Sequence, residues 1–154
     1  MKIEPLMHHR NLIPAIAALK FKQFGYLVPE RCLEDFQQGL ERQLHDKTIP
    51  MAFVAVEDGQ FVGIFSLVMH DMETHPHLSP WLAGLVVHPD KRKQGIGAQL
   101  VAKAEAVAKE LGYKRLYLFT VDKAAWYGKL GWKVIEQATF NGVPVTVMER
   151  QLGA

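Results

Sequence analysis

One segment constrains this chain more than any other. In "WLAGLVVHPDKRKQGIGAQLVAKAEAVAKELGYKRLYLFT", an apolar run passes through a basic, glycine-bearing turn into an amphipathic stretch and out into a second apolar run. "WLAGLVV" has the length and β-branched content of a buried strand. From Gly95 onward, Ile96, Leu100, Ala104, Val107 and Leu111 fall on one face of a helix, and Gly112 stands where a left-handed cap closes it. "RLYLFT" is then a second strand. A strand, a crossover helix and a second strand pair in parallel by the right-handed crossover rule, so the chain contains at least one α/β unit.

The remaining segments extend that unit into a mixed sheet. "KIEPL" reads as a first strand, with Pro5 arguing for an edge or a strand end. Two amphipathic helices follow, carrying Ile13, Ile16, Ala17 and Phe24 on one face and then Leu33, Phe36, Leu40 and Leu44; together they cover a sheet edge and pack across the middle of the sheet. "MAFVAV" and "FVGIFSLVM" form a hairpin through Asp58-Gly59. "HDMETHPHLSP" is a polar loop. After "RLYLFT", "DKAAWYGKL" is a short helix stopped at Gly131, and "WKVIEQ" and "PVTVMERQL" form a second hairpin through Asn141-Gly142. The order β-α-α-β-β-β-α-β-α-β-β makes one α/β domain over residues 1–154, a mixed sheet with helices on both faces.

Bulk properties narrow the partners. A formal net charge of +2 with interleaved signs argues against nucleic acid, the run Lys91, Arg92, Lys93 being the one local exception. The single Cys32 cannot form an internal disulfide and reads as a partly buried small hydrophobe on a helix. No apolar run reaches the roughly 20 residues that span a bilayer, and "MKIEPLMHHR" lacks a signal-peptide core, so the expectation is a cytoplasmic chain with no membrane partner.

The turn before the long helix gathers unpaired N–H groups at the positive end of the helix dipole, the physics of a phosphate site. "GIGAQL" lacks the third glycine and the downstream acid of the dinucleotide fingerprint, and the P-loop spacing is absent. R-x-x-G-x-G, in contrast, is present as Arg92, Lys93, Gln94, Gly95, Ile96, Gly97. At a matching distance downstream stands "AAWYGKLGW", in which an alanine leads an aromatic-tyrosine pair and a glycine-aromatic pair follows. With these two ordered motifs the chain resembles the GNAT superfamily of acetyl-coenzyme-A-dependent N-acyltransferases, clearly from about Phe53 onward, and over the first fifty residues only as a strand and two helices.

The resemblance implies a mostly antiparallel sheet with a central, splayed parallel strand pair. It implies acetyl-CoA as cosubstrate and an amine acceptor. The backbone of Arg92 to Ala98 would hold the coenzyme pyrophosphate. Leu85, Val86 and Val87 would offer main-chain groups to the pantetheine arm and to the thioester carbonyl, and Tyr127 would protonate the leaving thiolate. Thr120 stands where many relatives carry a coenzyme-contacting asparagine, with Asp122 two residues on. The splayed strand has no ionisable residue, so the general base stays open among Asp71, Glu73, His75, His77, His88 and water. The acceptor's identity stays open too, as does a homodimer. Two alternatives stand beside this reading: a non-catalytic acyl-CoA-binding module, and a metal site built on His70, His75 and His77 with Asp71 or Glu73, a fair zinc ligand count but without an ordered motif.

Overall fold

The computed structural model describes residues 1–153. Its main elements are β1 (Lys2–Pro5), α1 (Ile13–Phe24), α2 (Leu33–Glu41), β2 (Met51–Glu57), β3 (Gln60–Val68), β4 (Trp81–Val87), α3 (Ile96–Glu110), β5 (Arg115–Thr120), α4 (Ala124–Lys129), β6 (Lys133–Phe140) and β7 (Val143–Gln151). This is the element order read from the sequence. The strands form one sheet in the order β1-β2-β3-β4-β5-β7-β6, and β4–β5 is its one parallel pair. Both anticipated hairpins close on two successive left-handed residues, Asp58 and Gly59 at φ 52° and 75°, Asn141 and Gly142 at φ 47° and 80°. That conformation matches the twist of the flanking strands.

Each face of the sheet buries its own core. On one face Leu100, Val101, Ala104 and Ala108 of α3 pack on Phe53, Phe65, Leu116 and Leu118. Gly63 on β3 permits this closeness, since a methyl group there would lie 2.8 Å from Leu100 Cδ1. On the other face Ile13, Ile16, Ala17 and Leu40 pack on Ala52, Val54, Ile64 and Val86. The first two helices therefore lie across β2–β4 rather than along an edge. Removing a fully buried side chain such as Leu100 or Ile16 would cost about 2–5 kcal/mol.

Cys32 departs from expectation. It is exposed and sits ahead of α2 as its N-cap, where its N–H donates to Asp35 Oδ2 at 2.9 Å. A polar job at a helix start displaces the apolar one.

One irregularity positions the site. β4 and β5 pair in register only at Trp81 and Tyr117, where Tyr117 N–H donates to the Pro80 carbonyl at 3.0 Å. Beyond that point the strands part, while β5 stays fully paired with β7 from Arg115 to Thr120. β4 also bulges against β3: between the pairs Ile64–Val86 and Ser66–Ala83 it carries one more residue than its partner, and Gly84 takes φ 60° there. An extra residue on one strand bends it and re-aims its main chain.

Candidate active site

The basic turn arrives at α3 through two left-handed residues, Lys93 at φ 64° and Gly95 at φ 79°. Gly95 is the N-cap of α3 and supplies no side-chain cap. The first amides of the helix, on Ile96, Gly97 and Ala98, have no partner within it, the arrangement that suits an anion at a helix N-terminus. Ile96 is buried and anchors the turn, whereas Arg92, Lys93 and Gln94 are exposed. Arg92 is nonetheless held: its Nε donates to the Val87 carbonyl at 3.2 Å and its Nη2 to Gln23 Oε1 at 3.0 Å. The two glycines serve different needs. At Gly95 a side chain would meet open space, so the need is conformational; at Gly97 a methyl group would lie 3.1 Å from Trp126 Cη2, so the need is for close approach of α4.

The parting of β4 from β5 opens a cavity of about 570 Å³. Leu82 to Leu85 of β4, Leu118 to Thr120 of β5 and Tyr127 of α4 line its inner end. His88 N–H bonds to Val62 on β3, and strand alternation therefore turns the main chain of Val87 to the open side, where Arg92 takes its carbonyl. Val86 pairs with Ile64 and is buried under α1 and α2. Tyr127 lies between Trp126 and Trp132, its ring centroid 4.9 and 6.0 Å from theirs. Burial pushes its phenol well above the ordinary value, so the hydroxyl carries its proton throughout the neutral range. Thr120 is buried, and its hydroxyl accepts from Lys123 N–H at 3.0 Å, starting the turn into α4. The close of the second motif is a clamp: Trp132 Nε1 donates to Glu105 on α3, Arg150 Nε pairs with the same carboxylate at 3.1 Å, and Arg150 Nη1 donates to the Gly131 carbonyl at 3.0 Å.

The outer end of the cavity is made from separate segments. Lys20 on α1, Arg31 in the α1–α2 connection, Asp35 in the first turn of α2, Asp71 after β3 and Phe140 at the end of β6 all reach it. Asn141 Nδ2 donates to the Leu27 carbonyl at 2.8 Å and ties two of these segments together. Burial pushes the Asp71 carboxyl up to about 6, with the Lys20 and Arg31 charges restraining the rise. Burial likewise brings the Lys20 ammonium down to about 8, opposed by Asp71 and aided by Arg31.

Of the proposed bases, only Asp71 lines this cavity. Glu73 and His70 line a neighbouring pocket of about 430 Å³, which shares Asp71 and Arg31 with the first. His75 is buried and bonded on both ring nitrogens, to Thr74 Oγ1 at 2.7 Å and Glu136 Oε1 at 2.9 Å, and His77 stacks on it. His88 accepts from Asp90 N–H at 3.2 Å and packs edge-on to Phe61. The three loop histidines do not gather: among the described residues no group of three or more His, Cys, Asp or Glu side chains is arranged to hold a metal ion. Lys20, Arg31 and the bulge at Gly84 escaped sequence reasoning. Lys20 in an amphipathic helix looks like any solvated lysine, and only the fold sets it beside Gly84.

A domain of this topology, with uncapped amides at the start of α3 and a cleft between its parallel strands, can be compared with known proteins. The Acetyltransferase (GNAT) family matches residues 13–132, and the chain belongs to that family of acyltransferases. It is 35% identical over 105 residues to an aminoalkylphosphonate N-acetyltransferase of Salmonella typhimurium, covering 64% of this chain and 66% of that protein. It is 31% identical over 88 residues to an uncharacterised N-acetyltransferase of Chlorobaculum tepidum, covering 57% of this chain and 53% of the other. It is 32% identical over 85 residues to an amino-acid acetyltransferase of Aeromonas salmonicida, covering 54% of this chain but 18% of the relative's length. Among solved structures, a ribosomal-protein-alanine N-acetyltransferase from Brucella melitensis superposes with a TM-score of 0.75 at 22% identity, covering 98% of this chain and 99% of the other. An aminoglycoside 6'-N-acetyltransferase complexed with coenzyme A gives 0.73 at 19% identity, covering 100% and 98%. At such identities the likeness is one of fold. Among the described residues no helix is long and apolar enough to cross a membrane.

Proposed function

We propose that this protein transfers an acetyl group from acetyl-CoA to the primary amine of a small acceptor by direct attack, with Tyr127 as general acid and Asp71 as general base. The supporting observation is that Tyr127, Asp71 and Leu82 to Leu85 of β4 line one cavity, which Arg92, in the turn ahead of α3, lines as well. Acetyl-CoA supplies the electrophilic thioester. The α3 amides and Arg92 receive its pyrophosphate, and the open edge of β4 pairs with its pantetheine arm and offers an N–H to the thioester carbonyl. Relatives named for N-acetyl transfer to amino acids and aminoalkylphosphonates, and a neighbour bound to coenzyme A, are consistent with this assignment.

An alkylammonium has a pKa near 10 and is not a nucleophile until it loses a proton. Asp71, ionised above about pH 6, accepts that proton directly or through one water. The leaving thiolate takes a proton or a hydrogen bond from Tyr127. The raised pKa of this phenol does not disqualify it, because the same desolvation raises the thiol's as well. The Thr120 hydroxyl accepts from Lys123 N–H and keeps its own proton to donate to the coenzyme arm.

The test is thiol release from acetyl-CoA with a panel of primary amines, on the parent and on Tyr127→Phe. Turnover should fall about 10- to 1,000-fold while coenzyme affinity holds within about threefold. A variant within twofold of the parent, with chemistry rate-limiting, would refute Tyr127 as the acid. Tight coenzyme binding without thiol release on any amine would favour the non-catalytic binding module.

A further inference from the structure

The acceptor end of the cavity has a charge order that the transfer chemistry does not use. Lys20 reaches from α1 to the β4 bulge, where a methyl group on Gly84 would lie 2.8 Å from its Nζ. It is half-buried and lines the cavity together with Asp71 and Arg31. Among the described residues neither Lys20 nor Arg31 forms an ion pair within 4.0 Å. A lysine withdrawn from water with no carboxylate on it sits in an unfavourable state, which a ligand anion relieves. Asp71 interacts electrostatically with both cations, and Asp35 lines the same end and interacts with Arg31, so the acceptor end sets two cations beside two carboxylates, with Lys20 and Asp71 the innermost pair.

We infer that the acceptor is a small amine bearing its own acidic group, a carboxylate or a phosphonate, whose anion sits on Lys20 with Arg31 at the mouth while its amine faces Asp71. This rests on the transfer reading above and narrows its substrate class. The complement of a wall with cations and carboxylates side by side is a molecule with opposite charges a few bonds apart. A polycation would meet Lys20 at the bulge, where repulsion is little screened. The neighbouring pocket lined by Glu30 and Glu73 shares Asp71 and Arg31 with this cavity but includes neither Lys20 nor Gly84.

The experiment compares kcat/KM for 2-aminoethylphosphonate and β-alanine with propylamine, which lacks the acid, and with spermidine and an aminoglycoside. The parent should prefer at least one acidic amine to propylamine by about tenfold or more; the phosphonate and carboxylate arms separate the two acids. Lys20→Gln should bring that ratio close to one, Lys20→Arg should keep most of it, and Lys20→Glu should shift preference to the cationic amines. If Lys20→Glu does not fold, the Gln and Arg variants decide. Preference of the parent for propylamine or a polycation, or an unchanged ratio in Lys20→Gln, would overturn the inference and leave acetyl transfer standing. Thiol release with none of the amines would overturn both.

Discussion

The two ends of the cavity are built on different principles. The proposed coenzyme end lies within one stretch from β4 to α4 and relies on main-chain groups: two left-handed residues, the uncapped amides of α3 and a strand edge. The acceptor end relies on side chains from α1, the α1–α2 connection, the loop after β3 and the β6–β7 turn, stitched by Asn141 to Leu27 and His75 to Glu136. Main-chain demands restrict which residues can stand at a position and so leave a mark in the sequence. Side chains gathered across the fold leave almost none.

The largest break in this contrast is expected at Gly97. A methyl group there already crowds the Trp126 ring, so a longer side chain must push aside either the residue beside Tyr127 or the pyrophosphate proposed at α3. Gly97→Glu adds a negative charge to the phosphate cradle as well. Coenzyme affinity should drop by about 100-fold or more on calorimetry of a variant whose circular dichroism is that of the parent. Affinity unchanged within about threefold would remove the pyrophosphate from the start of α3.

The same contrast explains what was legible in the sequence. All eleven helices and strands appeared in the right order, because their apolar periods and their glycine turns are local signals. "RKQGIG" and "WYGKLGW" were readable for the same reason, although Gly131 and Trp132 prove to be parts of the clamp to Glu105 and Arg150. Lys20 could not be read, since its meaning depends on a bulge more than sixty residues away. The base could be narrowed only to a set, because His75, His77 and His88 differ from Asp71 in tertiary placement and not in local sequence.

Asp71 offers a sharper reading of the acceptor end. Its folded carboxyl titrates near 6, so kcat/KM should rise as pH increases through about 6, as the base becomes ionised. Lys20 loses its charge above about 8, so for an acid-bearing acceptor the same profile should fall again there. Asp71→Asn should lower kcat/KM at neutral pH about 10- to 100-fold and erase the acidic limb while leaving coenzyme affinity near the parent's. An acidic limb that survived in the variant would assign the base elsewhere, with Glu73 or water next in line.

A smaller effect is expected from Arg92. Its guanidinium is exposed and already engaged by Val87 and Gln23, so at the proposed coenzyme end it would add only an increment to what the amides supply. Arg92→Ala should weaken coenzyme binding about two- to fivefold, with a shallower dependence on salt. A loss as large as that at Gly97 would mean that side-chain charge, not the main chain, dominates this end as well.

The smallest effect, and the one most diagnostic of the acceptor end, is on stability. Lys20 has a folded pKa of about 8, below the 10.5 of the free side chain, so below pH 8 it is charged in both states and the folded state carries the desolvation cost. Raising the pH from 8 towards 10.5 lets the folded protein release that proton first, and the cost disappears. Lys20→Met, similar in length and uncharged, should therefore stabilise the protein at pH 7. The gain is limited, because Asp71 loses the attraction that restrains its own pKa and takes up a proton to compensate. The net change should be on the order of 1 kcal/mol in denaturant unfolding at pH 7, shrinking towards zero near pH 10. The parent would then retain at the acceptor end a charge that weakens its fold, and the acidic-amine preference would identify the use of that charge. A Lys20→Met variant less stable than the parent at pH 7 would make Lys20 a structural partner of Asp71 instead.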